Sequence, residues 1–252
     1  MAWSERQRAM LDEMGVRLWL PPETKFQRAP VDTAQPIAEQ LQAVVPVAPS
    51  PRGDRPTGVD AMDWPALREA VTNCSACKLC QGRRQTVFGV GHPHAHWMVV
   101  GEAPGEQEDR QGEPFVGKSG QLLDNMLRAI GLTRAQAEPA QQVYIANTTK
   151  CRPPGNRNPE PEELAQCEPF LIRQVELVKP KIILAMGRFA VQSLLRSNEP
   201  IGRLRGRVHR YQGVPLIVTY HPAYLLRNLE DKARAWDDLC LAQQTLKAVD
   251  AP

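Results

Sequence analysis

Four short apolar runs, rich in β-branched residues, constrain the fold of this chain more than any other feature. They cover residues 97–100, 143–146, 182–185 and 216–219. Helical patterns separate them at residues 121–130, 162–178 and 189–195, and a last helix is predicted from about residue 231 to 248. Strands that alternate with helices in this way form a parallel sheet with helices on both faces. The sequence therefore predicts an α/β domain with a central four-stranded, mainly parallel sheet, beside which residues 208–211 can add a short antiparallel strand.

Each predicted strand runs directly into a polar or glycine-containing loop. These loops begin with the sequences GEAPG, NTTKCRPPGNRNP, MGR and YHPAYLLRN. The carboxyl ends of parallel strands lie along one edge of the sheet, and ligands bind in the crevice outside that edge. We therefore expect Glu102, Phe115, Asn147 and His221 to face one pocket, although they are far apart in the sequence.

The longest of these loops, residues 101–124, contains the letter pattern of a nucleotide-binding P-loop in GEPFVGKS. A P-loop joins its strand directly to its helix, so that backbone N–H groups wrap a phosphate. Here the predicted strand ends about a dozen residues earlier, Pro114 lacks one of the N–H donors, and nearby carboxylates would repel a triphosphate. ATPase activity is therefore disfavoured. We predict instead that Ser119 caps a helix that stops at Gly131.

The first sixty residues differ from the rest of the chain. Residues 1–20 have an amphipathic helical pattern, which predicts a helix that docks on its own domain; the alternative is a helix that binds a repair or replication protein. Residues 21–60 are rich in proline and lack periodicity, which indicates a flexible linker. The domain that contains the strands is then residues 61–252.

Composition narrows the classes of protein that remain. The chain has 252 residues, of which 23% are charged and 42% hydrophobic, enough for one good core. A net charge of +3 allows a nucleic-acid partner without indicating one. No apolar run approaches membrane-spanning length, and the charged N-terminus lacks the apolar core of a signal peptide. We expect a cytoplasmic protein that is monomeric and has no membrane partner.

Six cysteines in a chain without an export signal indicate metal ligands or core residues rather than disulfides. Cys74 and Cys77 have the C-x2-C spacing with which one turn holds a metal centre. Cys151 and Cys167 form a second, widely spaced pair far downstream. Zinc ribbons usually repeat the close spacing, so the pattern favours an iron–sulfur cluster with four cysteine ligands over zinc. Cys80 either replaces Cys77 as a ligand or is a spare.

The paired cysteines, the sequences GEAPGEQEDRQGEPFVGKSGQLL and NTTKCRPPGNRNP, and the later HPAYLLRN together resemble the family 4, iron–sulfur-containing uracil-DNA glycosylases of the uracil-DNA glycosylase superfamily. The resemblance runs from about Cys74 to the last helix. It implies a three-layer α/β/α sandwich and a [4Fe-4S] cluster on Cys74, Cys77, Cys151 and Cys167. It also implies hydrolytic removal of flipped-out uracil from DNA, the first step of base-excision repair.

The chemistry of uracil excision fits three residues of the loops. The enzyme must swing the nucleotide out, stack its base, read its edge and stabilise negative charge on the departing ring. Phe115 supplies a stacking face. Asn147 offers one donor and one acceptor to the edge of uracil, an arrangement that cytosine would invert. His221 can donate to a uracil carbonyl as charge develops there.

The group that activates the attacking water is a separate question. The resemblance places Glu102 in the pocket, where it would position or activate water, although the better-known branch of the superfamily has an aspartate where this chain has Ala103. The alternative is that leaving-group stabilisation carries most of the rate, helped by backbone N–H groups around Ala103 and Gly105. Either Glu108 or the backbone of Gly105 would face the C5 edge of the ring and reject thymine.

Residues near the same edge predict contacts with DNA. Leu225 and Leu226, followed by Arg227, are typical of a wedge that enters the base stack when the base leaves. The alternative for the two leucines is packing on the last helix. The basic side chains predicted to contact phosphates are Lys118, Lys150, Arg152, Arg157 and Arg227.

The leading hypothesis is a DNA-repair hydrolase, and two others remain open on the sequence. One is a protein that binds or traps uracil-containing DNA without turnover. Related trapping proteins have an additional histidine-containing loop, which is not seen after Cys151. The other is an iron–sulfur accessory factor of a replication or repair complex, which would dock through residues 1–20.

Overall fold

The computed structural model describes residues 56–250. The helix predicted for residues 1–20 and most of the predicted linker lie outside the described residues. The first described element is a 3-10 turn, Val59–Ala61, in which Val59 is buried. Within residues 56–250, no helix has the length and apolar character needed to cross a membrane.

A six-stranded sheet lies at the centre of residues 56–250. Its strands are β1 (Val90–Gly91), β2 (Trp97–Gly101), β3 (Tyr144–Asn147), β4 (Ile182–Met186), β5 (Val208–Tyr211) and β6 (Val214–Thr219). They lie in the order β1-β3-β2-β4-β6-β5. Strand β2 pairs in parallel with β3 and β4, and β4 pairs in parallel with β6. Strands β1 and β5 are antiparallel and form the two edges.

The α/β class and the four parallel strands are confirmed, and the strand count is corrected from four to six. The short antiparallel strand predicted at residues 208–211 is present as β5. Strand β1 was not predicted, because it has two residues and neither is fully buried. A segment this short has no hydrophobic alternation that a sequence pattern can reveal.

Eight α-helices accompany the sheet within the described residues. They are α1 (Trp64–Thr72), α2 (Glu106–Gln111), α3 (Lys118–Ala129), α4 (Pro161–Val178), α5 (Arg188–Leu195), α6 (Ile201–Leu204), α7 (Pro222–Leu225) and α8 (Asp231–Asp250). The four longer helices predicted from periodicity correspond to α3, α4, α5 and α8. The prediction that Ser119 caps α3 is wrong, because Gly117 holds that position and the helix begins at Lys118. The prediction that the helix stops at Gly131 is confirmed. Gly131 follows the C-cap of α3 and has φ 77°, the left-handed conformation with which helices commonly end.

Helix α2 interrupts the stretch between β2 and α3, which was predicted to be one long loop. Its six residues are all polar, so it has no apolar stripe from which a helix can be predicted. Three acidic residues in its first turn, Glu106, Glu108 and Asp109, favour helix formation because they oppose the positive end of the helix dipole. The P-loop alternative requires a direct strand-to-helix turn, which this extra helix removes.

Apolar side chains cover both faces of the sheet and produce three layers. On one face, Met98, Ala146 and Ile183 pack with side chains of α4 and α5. On the other face, Val99 and Leu184 pack with side chains of α3 and α8. The central strands are buried on both sides, as their unbroken apolar runs predict. The carboxyl ends of β2, β3, β4 and β6 therefore meet at one edge.

Candidate active site

A cleft of about 1020 Å³ opens at the carboxyl edge of the sheet. The six residues predicted to surround a uracil ring all line it: Glu102, Ala103, Gly105, Phe115, Asn147 and His221. Glu102 follows β2, Asn147 ends β3 and His221 follows β6, so the parallel strands bring these side chains together.

Phe115 is held in an unusual backbone conformation. Its φ is 56°, in the left-handed region that bulky residues rarely adopt, and its side chain is buried. Gly120 in α3 makes this conformation possible, because a Cβ at that position would lie 1.7 Å from the carbonyl oxygen of Phe115. Backbone strain of this kind is typical of functional sites.

Gly101 brings the Phe115 ring and the Asn147 amide to the same point. The strand register places Gly101 opposite Asn147. A Cβ on Gly101 would lie 2.5 Å from Asn147 Oδ1 and 2.5 Å from Phe115 Cζ. Only glycine therefore allows the ring and the amide to converge here. The pairing continues one residue further, where the Thr148 N–H donates to the Gly101 carbonyl at 3.0 Å.

His221 lies beside Phe115 at the end of β6. The two rings are stacked, with centroids 5.2 Å apart and an interplanar angle of 27°. The Ala223 N–H donates to His221 Nδ1 at 3.2 Å, which caps α7. Burial lowers the pKa of His221 to about 4; the Glu108 charge opposes this shift and the Arg227 charge adds to it. The imidazole is therefore neutral at pH 7, with its proton on Nε2, because Nδ1 accepts a hydrogen bond.

Glu102 lies in the cleft with its carboxyl partly buried. Burial raises the pKa of Glu102 to about 7, so near neutral pH both its protonated and ionised forms are populated. Its backbone is fixed, since the Glu102 carbonyl accepts a hydrogen bond from the Thr149 N–H at 3.2 Å and a second from the Thr148 hydroxyl.

Glu108 holds the backbone around the cleft. One of its carboxylate oxygens, Oε2, accepts from the Gly105 N–H at 3.1 Å. The other, Oε1, accepts from the N–H groups of Val116 at 3.0 Å and Gly117 at 3.3 Å. The carboxylate thus connects the start of α2 to the segment that follows Phe115.

Lys150 is buried rather than exposed to DNA, which corrects the predicted phosphate contact. Only 1% of its surface is accessible. Its Nζ donates to the Asn147 carbonyl at 2.8 Å and to Gln174 Oε1 at 2.6 Å. Burial lowers the pKa of Lys150 to about 8, although the neighbouring Cys167 and Cys151 act to raise it. The side chain fixes the backbone of the residue predicted to read uracil.

The other residues predicted to contact DNA lie near the cleft. Lys118 is exposed at the start of α3, and Arg227 lines the cleft. Arg152 lies 3.6 Å from Glu106. Arg157 also lines the cleft, and its guanidinium donates to both carboxylate oxygens of Glu163, at 2.9 Å and 2.6 Å.

Only one of the two leucines predicted to act as a wedge is exposed. Leu226 is 41% accessible, whereas Leu225 is 1% accessible at the end of α7. Helix α7 packs against α3, which accounts for the burial of Leu225. The wedge prediction is therefore corrected for Leu225, which is a core residue.

Five cysteines line one small buried cavity: Cys74, Cys77, Cys80, Cys151 and Cys167. Arg83 Nη1 donates to Cys151 Sγ at 3.0 Å, and the Lys150 N–H donates to Cys167 Sγ at 3.3 Å. Burial raises the pKa of Cys77 to about 11 and that of Cys167 to about 12. Among residues 56–250, no three Cys, His, Asp or Glu side chains already stand in metal-binding geometry.

Sequence patterns missed two aromatic residues of the cleft. Tyr220 and Tyr224 flank His221 in the sequence and line the cleft with it. Their rings are stacked with centroids 5.1 Å apart. The sequence YHPAY contains a signal for them. One tyrosine precedes the first turn of α7 and the other lies within that turn, and side chains placed in this way can meet on the same face of the helix.

A mainly parallel sheet that presents a buried aromatic ring, an amide and a neutral imidazole at its carboxyl edge defines an α/β protein with its candidate site in the crevice outside that edge. The profile of the Uracil DNA glycosylase superfamily matches residues 88–240, more than half of the chain. The chain belongs to the uracil DNA glycosylase superfamily.

Several curated relatives are similar over most of their length. A protein of Sulfurisphaera tokodaii named "Type-4 uracil-DNA glycosylase" is 44% identical over 171 residues, which cover 64% of this chain and 75% of the relative. A protein of the same name from Thermotoga maritima is 42% identical, over 67% of this chain and 85% of the relative. A third protein of this name, from Pyrobaculum aerophilum, is 40% identical over 71% of this chain and 93% of the relative.

Proposed function

We propose that this protein is a uracil-DNA glycosylase, a hydrolase that cleaves the N-glycosidic bond of flipped-out deoxyuridine in DNA and so begins base-excision repair. The names of its relatives support this assignment. The single observation that carries it is the convergence of Phe115, Asn147 and His221 on one cleft. A stacking ring, an amide and a hydrogen-bond donor are what an extruded uracil needs.

Phe115 and Asn147 bind the base in this proposal. The rings of Phe115 and His221 are stacked with centroids 5.2 Å apart, so no third ring fits between them. Uracil therefore lies at the edge of this pair, where Phe115 contacts the base and His221 can donate to its carbonyl. The Asn147 amide donates to a uracil carbonyl and accepts from the ring N3–H. Cytosine presents the opposite pattern at this edge, and its binding would leave the amide unpaired.

His221 stabilises the leaving group. As the bond from C1′ of the sugar to N1 of uracil breaks, the electron pair goes to the ring and negative charge develops on its carbonyl oxygen. A neutral imidazole with its proton on Nε2 donates a hydrogen bond to that oxygen. Because burial keeps the pKa of His221 at about 4, this form of the side chain persists across the physiological range, and the donor acts by electrostatic stabilisation.

Glu102 positions the attacking water. Its ionised carboxylate accepts a hydrogen bond from water, whose oxygen attacks C1′, and takes up the proton that is released. A pKa of about 7 suits a base at neutral pH. Ala103 and Gly105 line the same cleft, but the Gly105 N–H donates to Glu108. The Glu108 carboxylate already accepts hydrogen bonds from three backbone N–H groups. Of the two groups that could face C5 of the ring, we therefore assign the exclusion of thymine to the backbone at Gly105.

We propose that Cys74, Cys77, Cys151 and Cys167 hold a [4Fe-4S] cluster. The donor set supports it, since cysteines from three separate segments line one cavity. The two buried ones, Cys151 and Cys167, receive N–H···S hydrogen bonds from Arg83 and Lys150. When bound, the cluster supplies iron–thiolate bonds that cross-link these segments. Cys80 faces the same cavity and is the alternative to Cys77.

The DNA strand contacts the mouth of the cleft. Leu226 enters the gap that the flipped base leaves, and Lys118, Arg152, Arg157 and Arg227 contact phosphates. A monomeric state, a cytoplasmic location and a partner for residues 1–20 remain predictions from the sequence.

The test is release of free uracil from a labelled oligonucleotide with one uracil, assayed under multiple turnover with cytosine and thymine substrates as controls. We expect many equivalents of uracil per enzyme and no release of thymine or cytosine. Tight binding of the uracil oligonucleotide with no release would instead favour the trapping function.

A further inference from the structure

Tyr220 and Tyr224 form a stack of two aromatic rings in the cleft that His221 also lines. Their ring centroids are 5.1 Å apart, and the ring planes differ by 16°. Tyr220 follows β6 directly, whereas Tyr224 lies in α7, with its N–H donating to the His221 carbonyl at 2.9 Å. Both tyrosines and the histidine line the same cleft, so the aromatic pair is placed to meet a nucleotide next to the one that His221 contacts.

Polar contacts hold this pair rigidly. The Tyr224 hydroxyl donates to Asp231 Oδ2 at 2.7 Å, and Arg234 donates to Asp231 Oδ1 at 2.7 Å. The Arg205 guanidinium lies 5.8 Å from the centroid of the Tyr220 ring. Because the hydroxyl already has a partner and the ring is fixed, a base that stacks here loses little side-chain entropy.

Several exposed apolar side chains lie close to Tyr224 in the sequence. Tyr224 is 37% accessible, and Leu226, Leu229 and Trp236 nearby in the sequence are also exposed. These are four of the six large hydrophobic side chains that are exposed within residues 56–250. Arg227 lies between them and lines the cleft. Exposed aromatic rings beside cationic side chains are what single-stranded nucleic acids use for stacking.

We propose that Tyr224, supported by Tyr220, is a stacking site for the base that neighbours the flipped uracil on the same strand. This inference rests on the proposed function, because it places a second nucleotide relative to the first. It follows that the neighbouring base contributes to binding when it is unpaired.

The test compares single-stranded oligonucleotides in which the base on the 5′ or the 3′ side of uracil is present or replaced by a stable abasic analogue. Binding is measured by fluorescence anisotropy, and KM and kcat by uracil release. For the wild-type protein, removing one of the two neighbouring bases should weaken binding by about 5- to 150-fold, the range for one stacked base.

Two variants separate stacking from a structural role. Tyr224→Ala should weaken binding of the intact oligonucleotide by the same factor and have no effect on the oligonucleotide without that base. Tyr224→Phe, which loses only the Asp231 hydrogen bond, should retain the dependence on the neighbouring base. An equal effect of Tyr224→Ala on both oligonucleotides would overturn the inference. So would the absence of any dependence on either neighbour, which would favour a protein partner for this surface.

The two proposals fail differently. If the wild-type protein binds with the expected dependence on the neighbouring base but releases no uracil, the glycosylase assignment fails and the stacking site stands. If uracil is released with no such dependence, the stacking site alone is wrong.

Discussion

The ammonium group of Lys150 donates to the backbone carbonyl of Asn147 at a distance of 2.8 Å. The backbone N–H of the same lysine donates to Cys167 Sγ at 3.3 Å. One residue therefore contacts both the strand end that presents the uracil-reading amide and the cavity that the cysteines line. Its second partner, Gln174, in turn donates to the Phe88 carbonyl and to the Tyr144 hydroxyl, so the lysine belongs to a buried polar network.

Lys150→Met keeps the length of the side chain and removes its ammonium group. We expect excision to fall by about 10- to 100-fold, because the Asn147 carbonyl and the Gln174 amide oxygen lose a buried donor, a change that costs about 1–3 kcal/mol. Denaturant unfolding and single-turnover excision measure the two effects. Arg173→Met is a control, since that guanidinium is bonded to the Met62 carbonyl far from the cleft. Normal excision by Lys150→Met would contradict a positioning role.

Gly101→Ala should disturb the cleft where Phe115 and Asn147 approach the backbone most closely. The added methyl group would lie 2.5 Å from Asn147 Oδ1 and from Phe115 Cζ, so both side chains must move. We expect a loss of at least about 100-fold in excision, since misplacement of catalytic groups by about 1 Å has effects of this size. Gly82→Ala is the matched control, because a Cβ there meets no atom within 4 Å. Equal activities of the two variants would contradict the account of the cleft.

The pH dependence of excision should follow Glu102. Because burial raises its pKa to about 7, the carboxylate needed to take the proton from water forms as pH rises through 7, and kcat/KM should rise with it and then level off. His221 adds no step there, since its pKa of about 4 keeps it neutral. Glu102→Gln should remove the inflection and most of the activity. An unchanged profile in that variant would favour leaving-group stabilisation as the main source of rate.

Substitution of single cysteines tests the cluster. Cys151→Ala should abolish the visible absorption of the purified protein and lower its melting temperature, because one of four ligands and the cross-link are lost. Cys80→Ala should retain both the absorption and the iron content if Cys77 is the ligand. Loss of the cluster in Cys80→Ala with retention in Cys77→Ala would exchange their roles. Iron analysis together with the spectrum provides the readout.

The sequence predicted the four central strands and the edge strand β5 but missed the edge strand β1 and helix α2, for a physical reason. Strands buried on both faces need unbroken apolar runs, so the segments around Val99 and Leu184 were recognisable. Strand β1 and helix α2 are defined by tertiary contacts instead. For example, the backbone N–H of Arg84 donates to both carboxylate oxygens of Asp109, at 2.9 Å and 3.1 Å. This contact secures α2, but no local pattern encodes it.

The residues of the candidate site could also be predicted only in part. The topology of parallel strands was enough to gather Phe115, Asn147 and His221. Burial of individual side chains was not predictable, because it depends on distant partners. Lys150 lies in a polar stretch and was predicted to be exposed. In the structure it is buried, and its ammonium group donates a hydrogen bond to the side-chain oxygen of Gln174. Leu225 is the last residue of α7 and Leu226 follows it. The packing of α7 on α3 buries the first and leaves the second exposed.

The most direct test of the central claim is single-turnover excision by His221→Asn. Asparagine can still accept the hydrogen bond from the Ala223 N–H and cap α7, but it has no group in place of Nε2–H. The account predicts a loss of about 10²- to 10³-fold in rate, the effect of removing one such donor, with the visible spectrum and melting temperature unchanged. A rate within a few-fold of the wild type would contradict the role of His221 in stabilising the uracil anion.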